Sequence, residues 1–388
     1  MSNLQHLKNV RNADNSYEYG IMNFIIPVLK IEKIYGIFRF QVDKDGGFTT
    51  INKNKKQFGF FLVIIFVGAY LVSFFIDISK PEQTVSSADK VYRVPFMILI
   101  IQYALFAFIS LKDNQAITNI SIFTKLIKID QKLNMDINQN MLSRKQGINI
   151  LILCTVCTFL LFGFDIYLRV DLDITIIVAF FIYYERVIET FVFCFLIGLL
   201  IVRLRLINNN LSYLKLNENL IASGSPRNCK INELTQAYCM IGETCKAVNY
   251  VFNIQILMTL MSTFAFIVIT IWSSIYYFRT DENYSDALII IVVWCVVEVL
   301  LIGVLCGFSE YLHIKRNYTK VYVNEIIMNY DLPKTMRIQA KTFMELIDLW
   351  TLEMLVFDMI KIDMKLILKF LSVATTYLIV IIQASRFS

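Results

Sequence analysis

"TTYLIVIIQAS", residues 375–385, stands near the end of the chain, and its reading decides the rest. An almost unbroken apolar run carries Thr375, Thr376 and Tyr377 at one end and a lone Gln383 at the other. A glutamine amide left in hydrocarbon without a partner costs several kcal/mol, so something must make Gln383 worth having there. On a helix, residues three, four and seven apart share a face. From Gln383 that face runs back through Val380, Thr376, Ser372, Lys369 and Lys365, while Leu368, Leu371, Leu378, Ile379 and Ile382 fill the other sides. A polar stripe on a spanning helix either bonds to a neighbouring helix or faces water in a pore. The second use needs several copies around an axis, hence a symmetric oligomer. Val380 and Gln383 would then form constricting rings, the first by dewetting and the second through amide oxygens. The spacing alone leaves both uses open.

Working outward, the remainder of the chain reads as membrane-embedded. Of 388 residues, 57% are hydrophobic and only 18% charged, against about 45–50% and about 25% in soluble domains. Seven stretches are apolar over roughly the 20 residues a crossing needs. They fall near 58–78, 93–111, 148–168, 174–202, 254–278, 286–310 and 366–387, which predicts an all-α membrane protein of seven transmembrane helices. The loops 1–57, 112–147, 203–253 and 311–365 hold twenty-nine Lys and Arg, against five in the opposite set. The positive-inside rule therefore places the amino terminus inside and the carboxyl terminus outside, opposite to a G-protein-coupled receptor. The net charge of +6 is dispersed among the spans, as topology signals are, and gives no nucleic-acid surface. The earlier apolar stretch 21–29 is too short to span and is broken by Pro27, so the first span is expected to act as the signal anchor.

Four regions follow. Residues 1–57 form a cytoplasmic amino-terminal segment, and 58–310 form six transmembrane helices with their cytoplasmic loops and the ligand-binding region. Residues 311–365 form cytoplasmic anchor helices; 366–388 form the seventh helix and a short extracellular tail. Helical periodicity continues into the inner loops: Leu204, Ile207, Leu211 and Leu214, then Leu234, Tyr238, Ile241 and Cys245, with a Gly/Pro turn signal at 222–228 between them. Pro333 opens a further stripe through Met336, Ala340, Phe343 and Ile347. Cys154 and Cys157 make a CxxC pattern inside an apolar helix, where they read as packing residues.

The middle spans hold polar and aromatic residues that crossing does not require. Asp165 and Tyr167 close span three; Tyr183, Tyr184, Glu185 and Arg186 lie in span four; Trp272, Ser273 and Tyr276 end span five. Span six carries Trp294 and, about 18 Å in, Glu298. An ionisable group at that depth is costly and marks function by default. Aromatic walls with a few polar groups suit a small molecule; Glu298 paired with Arg186 as structural glue is the competing reading. His6 and His313 are the only histidines, and no nucleophile–base pair, metal cluster or cofactor motif appears, which argues against an enzyme.

At this point "MIKIDMKLILKFLSVATTYLIVIIQ" (359–383) resembles the carboxyl-terminal signature of the insect gustatory receptor family. Ile362-Asp363, Thr376-Tyr377, the apolar "LIVII" and Gln383 match in order and spacing, and "IIPVLKIEKIYGIFRF" (25–40) is similar to the family's pre-span segment. The resemblance implies a ligand-gated, non-selective cation channel of four subunits, without cofactor or metal, in the plasma membrane of a sensory neuron. It implies a pore lined by the last helix, with Thr376, Tyr377, Val380 and Gln383 as pore residues. The family's Phe after Gln is Ala384 here, which leaves the closed seal to Val380 and Gln383, or to Phe387. The implied pocket draws on Asp165, Tyr184, Glu185, Arg186, Trp272, Tyr276, Trp294 and Glu298, with a tastant, sugar or bitter compound, as ligand and surrounding lipid and sister subunits as partners. The assembly expected is a homotetramer or a hetero-oligomer with related receptors. An odorant-receptor-type subunit that needs a partner, and a transporter, remain the alternatives; no internal repeat supports the latter.

Overall fold

The computed structural model describes residues 25–42, 47–78, 94–133, 137–169, 174–216, 227–280 and 285–387. Among these the chain is helical nearly throughout. In order come α1 (25–34), the strand pair β1 (Gln41–Val42) and β2 (Phe48–Thr49), then α2 (Lys53–Ile78), α3 (Val94–Ser110), α4 (Asp113–Leu133) and α5 (Ile137–Arg169). They are followed by α6 (Ile174–Leu216), α7 (Arg227–Thr280), α8 (Ser285–Met328), α9 (Lys334–Leu349), the hairpin β3 (Leu355–Val356) and β4 (Ile360–Lys361), and α10 (Met364–Phe387).

Among the described residues, Lys53–Ile76, Gly147–Tyr167, Ile176–Leu214, Lys230–Ile275 and Leu288–Met328 are long and apolar enough to cross a membrane. Phe96–Ser110 and Asp113–Leu133 form a sixth candidate, bent by 80° between its halves. The bend falls where the Ser110 hydroxyl donates to the Ala107 carbonyl at 2.7 Å and Asp113 opens the first turn of α4. The expected seventh crossing is the 24-residue α10. Residues 112–147 read as a loop in the sequence, yet α4 buries Ala116, Asn119, Phe123, Leu126 and Asp130 against the bundle. Its stripe carries Asn and Asp among the apolar positions, which hides its period.

Three helices exceed any bilayer. At 1.5 Å per residue the 54 residues of α7 extend roughly 80 Å, against a hydrocarbon core of about 30 Å. The surplus lengths of α6, α7 and α8 pack with α4 and α9 into a bundle of their own. The stripe Met336, Ala340, Phe343 and Ile347 is the buried face of α9, with Pro333 at its N-cap. Phe343 meets Tyr238 edge-on at 5.5 Å, the Tyr238 hydroxyl donates to the Trp350 carbonyl at 2.9 Å, and Arg316 donates to the Ile347 carbonyl at 2.8 Å. Burial pushes the Tyr238 phenol up, while on the rim the Lys320 ammonium, 2.6 Å away, holds the Asp348 carboxyl below the usual range. Deeper in, Arg203 donates to Asp130 at 2.6 Å, with both side chains fully buried.

The segment 25–40 is packed among the membrane-level helices. Tyr35 lies against Phe66 of α2 and Phe181 of α6, and the Tyr103 hydroxyl of α3 donates to the Tyr35 carbonyl at 2.6 Å. Gly36 has φ +73°, and its backbone meets that of Gly59 so closely that a Cβ there would stand 2.7 Å from the Gly59 oxygen. Only glycine fits that approach without strain.

Candidate functional site

Two regions compete for the site, and α10 is the first. Its start is set by Asp363, whose carboxylate accepts from the Leu366 amide at 3.1 Å and caps the helix. That gives the Ile362-Asp363 pair a physical reading: Ile362 is buried and Asp363 ends the preceding hairpin by starting the helix. The hairpin turns at Phe357 and Asp358, with φ of 50° and 57°, and Met359 donates to the Val356 carbonyl at 3.0 Å. Two positive φ angles in succession make a type I′ turn without glycine. Asn249 bonds both the amide and the carbonyl of Leu355, and Asn253 accepts from the Phe357 amide at 2.7 Å. Two side chains one turn apart on α7 thus stand in for a third strand. The sequence reading took 311–365 as anchor helices and missed this hairpin.

Beyond the cap, α10 packs on α7 and α8 along one narrow stripe, Leu366, Phe370 and Ala374. Tyr377 adds an edge-on contact with Phe264 at 5.8 Å. The polar edge singled out above is not used inside the chain: Lys365, Lys369, Ser372, Thr376, Val380 and Gln383 are all exposed. Thr376 donates back to the Ser372 carbonyl at 3.0 Å and Thr375 to the Leu371 carbonyl at 2.8 Å, so both hydroxyls are satisfied on their own helix. The side chain of Phe387 lies outside the described residues. Behind α10 a narrow apolar crevice opens between it and α7 and α8, lined by Ile267, Val299, Ile302, Ile367 and Phe370 with Thr263 at its edge.

The second region lies in the bundle interior. Arg186 and Glu298 form an ion pair, both almost fully buried. Arg186 also donates to Ser262 at 3.0 Å, and Thr263 donates to the other Glu298 oxygen at 2.9 Å. The guanidinium sits 4.8 Å over the Tyr183 ring, which meets Trp294 edge-on at 4.8 Å. The expected residues Arg186, Trp294 and Glu298 therefore come together, with Tyr183, Ser262 and Thr263 added. The others separate. Tyr184 bonds Thr155 at 3.1 Å and packs on Phe159. Glu185 is buried on α6 one turn before Glu189 and makes no hydrogen bond with this cluster. Asp165 is buried on α5, Trp272 is half-buried on α7, and the Tyr276 side chain lies outside the described residues. Sequence reasoning gave no role to Glu32, Arg39 and Glu189. Glu189 interrupts an apolar span, whereas Glu32, between Lys30 and Lys33, and Arg39 stand before the first span, where charge is ordinary.

Among the described residues no group of His, Cys, Asp or Glu is arranged to hold a metal ion.

The fold agrees with solved receptors. The insect olfactory receptor OR5 from Machilis hrabei superposes with TM-score 0.68 at 11% identity, over 95% of this chain and 99% of that one. The same receptor in complex with eugenol gives 0.62 at 12% identity, over 94% and 100%. No curated protein matches the chain. The family model of the 7tm chemosensory receptors covers residues 25–385, and this multi-pass membrane protein, a receptor and not an enzyme, belongs to that insect family.

Proposed function

We propose that the chain is a gustatory receptor acting as a tastant-gated, non-selective cation channel in which four copies place α10 around a common axis. One observation carries the reading: the polar edge from Lys365 to Gln383 is exposed on the single chain although it lies on an apolar helix. Hydrocarbon is the wrong neighbour for that edge, and a shared aqueous path is the right one. The surplus bundle supports assembly as well. It leaves Tyr318, Val321, Met328, Ile338 and Leu349 about half or more exposed, where lipid does not reach and a second copy does. Val380 and Gln383 form the constriction, Thr376 and Tyr377 position the helix below it, and the amino terminus faces the cytoplasm of a sensory neuron.

The ligand is a small molecule, a reading supported by the eugenol complex of the similar receptor. The Arg186–Glu298 cluster with Tyr183 and Trp294 is the recognition wall, and the Thr376-Tyr377 and Gln383 spacing favours a tastant. An olfactory subunit that conducts only beside a partner is the second reading, favoured by the olfactory identity of the superposing structures. Recording from cells that express this chain alone, against a panel of sugars and bitter compounds, separates them. Ligand-evoked cation current altered by substitution at Gln383 supports the first reading, and current only on co-expression supports the second. Saturable flux without channel events overturns both in favour of a transporter.

A further inference from the structure

The bundle interior holds another charged cluster, independent of pore and ligand wall. Glu32 of α1, Arg39 just after it, and Glu185 and Glu189 of α6 are each no more than 4% exposed. Arg39 donates from Nε to Glu32 at 2.9 Å and from Nη2 to Glu189. Its guanidinium is sandwiched between the rings of Phe106 on α3 and Phe252 on α7, 5.4 and 4.9 Å from their centres. Arg39 thus draws the Glu32 and Glu189 carboxyls onto a single guanidinium, so that two buried acids share one cation. Their outer oxygens are buried without a partner. Glu185 stands one turn before Glu189 on the same helix, equally buried, and its Oε1 also lacks a partner.

The charges do not balance as ionised groups. Among the described residues three carboxyls share one available cation, because Arg186, next to Glu185 in sequence, is taken by Glu298. The titratable neighbours among the described residues are phenols: Tyr35 after α1, Tyr103 on α3 and Tyr184 on α6. A metal ion does not fit, since a guanidinium already occupies the centre. We propose that Glu32, Glu185 and Glu189 form a proton-binding site that holds two protons and fastens the amino-terminal segment to α6 in a pH-dependent way. With two carboxyls neutral, Arg39 is matched by one carboxylate and the interior carries no net charge. As pH rises the protons leave, the carboxylates repel one another, and the clasp between Glu32, Arg39 and Glu189 opens. Stability is therefore present at mildly acidic pH and lost towards alkaline pH.

Infrared spectroscopy of the purified full chain tests this directly. The wild type is expected to show the carbonyl stretch of protonated, buried carboxyls, with part of that band lost in Glu185→Gln and part in Glu189→Gln. The thermal midpoint of the wild type falls from mildly acidic to alkaline buffer, and that fall is largely abolished in the double variant. Only carboxylate bands in the wild type, or an unchanged pH profile in the double variant, overturns the proposal. Should Glu189→Gln fail to fold, Glu185→Gln alone decides it, because Glu185 makes no hydrogen bond that the amide would lose. Neither readout depends on ion conduction.

Discussion

The interior of the bundle and the edge of α10 meet the same demand in opposite ways. Both place polar side chains on apolar helices, where an unpartnered group is costly. In the interior each cation has found its anion within the chain: Arg186 with Glu298, Arg203 with Asp130, Arg39 with Glu32 and Glu189. On α10 the hydroxyls bond back to their own helix and Gln383 points away from the rest of the chain. These cations are matched within one copy. The edge is left exposed by that copy, and the contrast shows that a membrane helix can fold without its polar face being claimed by the rest of the chain.

Three experiments put that contrast to the test. The largest effect is expected inside, where Glu298→Leu strands Arg186 and costs about 3–5 kcal/mol, read as a lower thermal midpoint. Pairing it with Arg186→Met should recover most of the loss; a double variant no better than the single would show that charge balance is not what matters there. A smaller loss, about 1–3 kcal/mol, is expected from Gly242→Ala in the surplus bundle. The added Cβ would stand 2.5 Å from the Trp350 ring and push it off the α7 surface. The smallest effect belongs to Gln383→Leu together with Thr376→Val. In detergent that keeps single protomers apart, the midpoint should stay within about 0.5 kcal/mol of wild type, while ligand-evoked currents change in ion selectivity. A large stability loss for this pair would mean that the edge is satisfied within the protomer, and the contrast would fall.

Much of this was legible in advance, for reasons that differ by element. The stripe of α9 could be named residue by residue, because Met336, Ala340, Phe343 and Ile347 sit at helical spacing behind a proline. The Arg186–Glu298 pair could be anticipated as one of two readings, since two opposite charges at similar depth have few other partners. By contrast α4 was hidden by Asn119 and Asp130 on its buried face, and the hairpin at 354–362 by a turn made without glycine. Glu189 gave no hint of its partners. They lie 150 and more residues earlier, in a segment that reads as a lead-in to the first span.

The membrane solvent, most of the helices and the polar edge of α10 follow from the residues alone, because hydropathy and period are local properties that neighbouring residues state together. Which charges meet, the packing of residues 25–40 among the helices and the exposure of the α10 edge emerge only from the folded chain. Those outcomes depend on contacts between residues far apart in the chain, and burial of a charge acquires its meaning only when the opposing helix is in place.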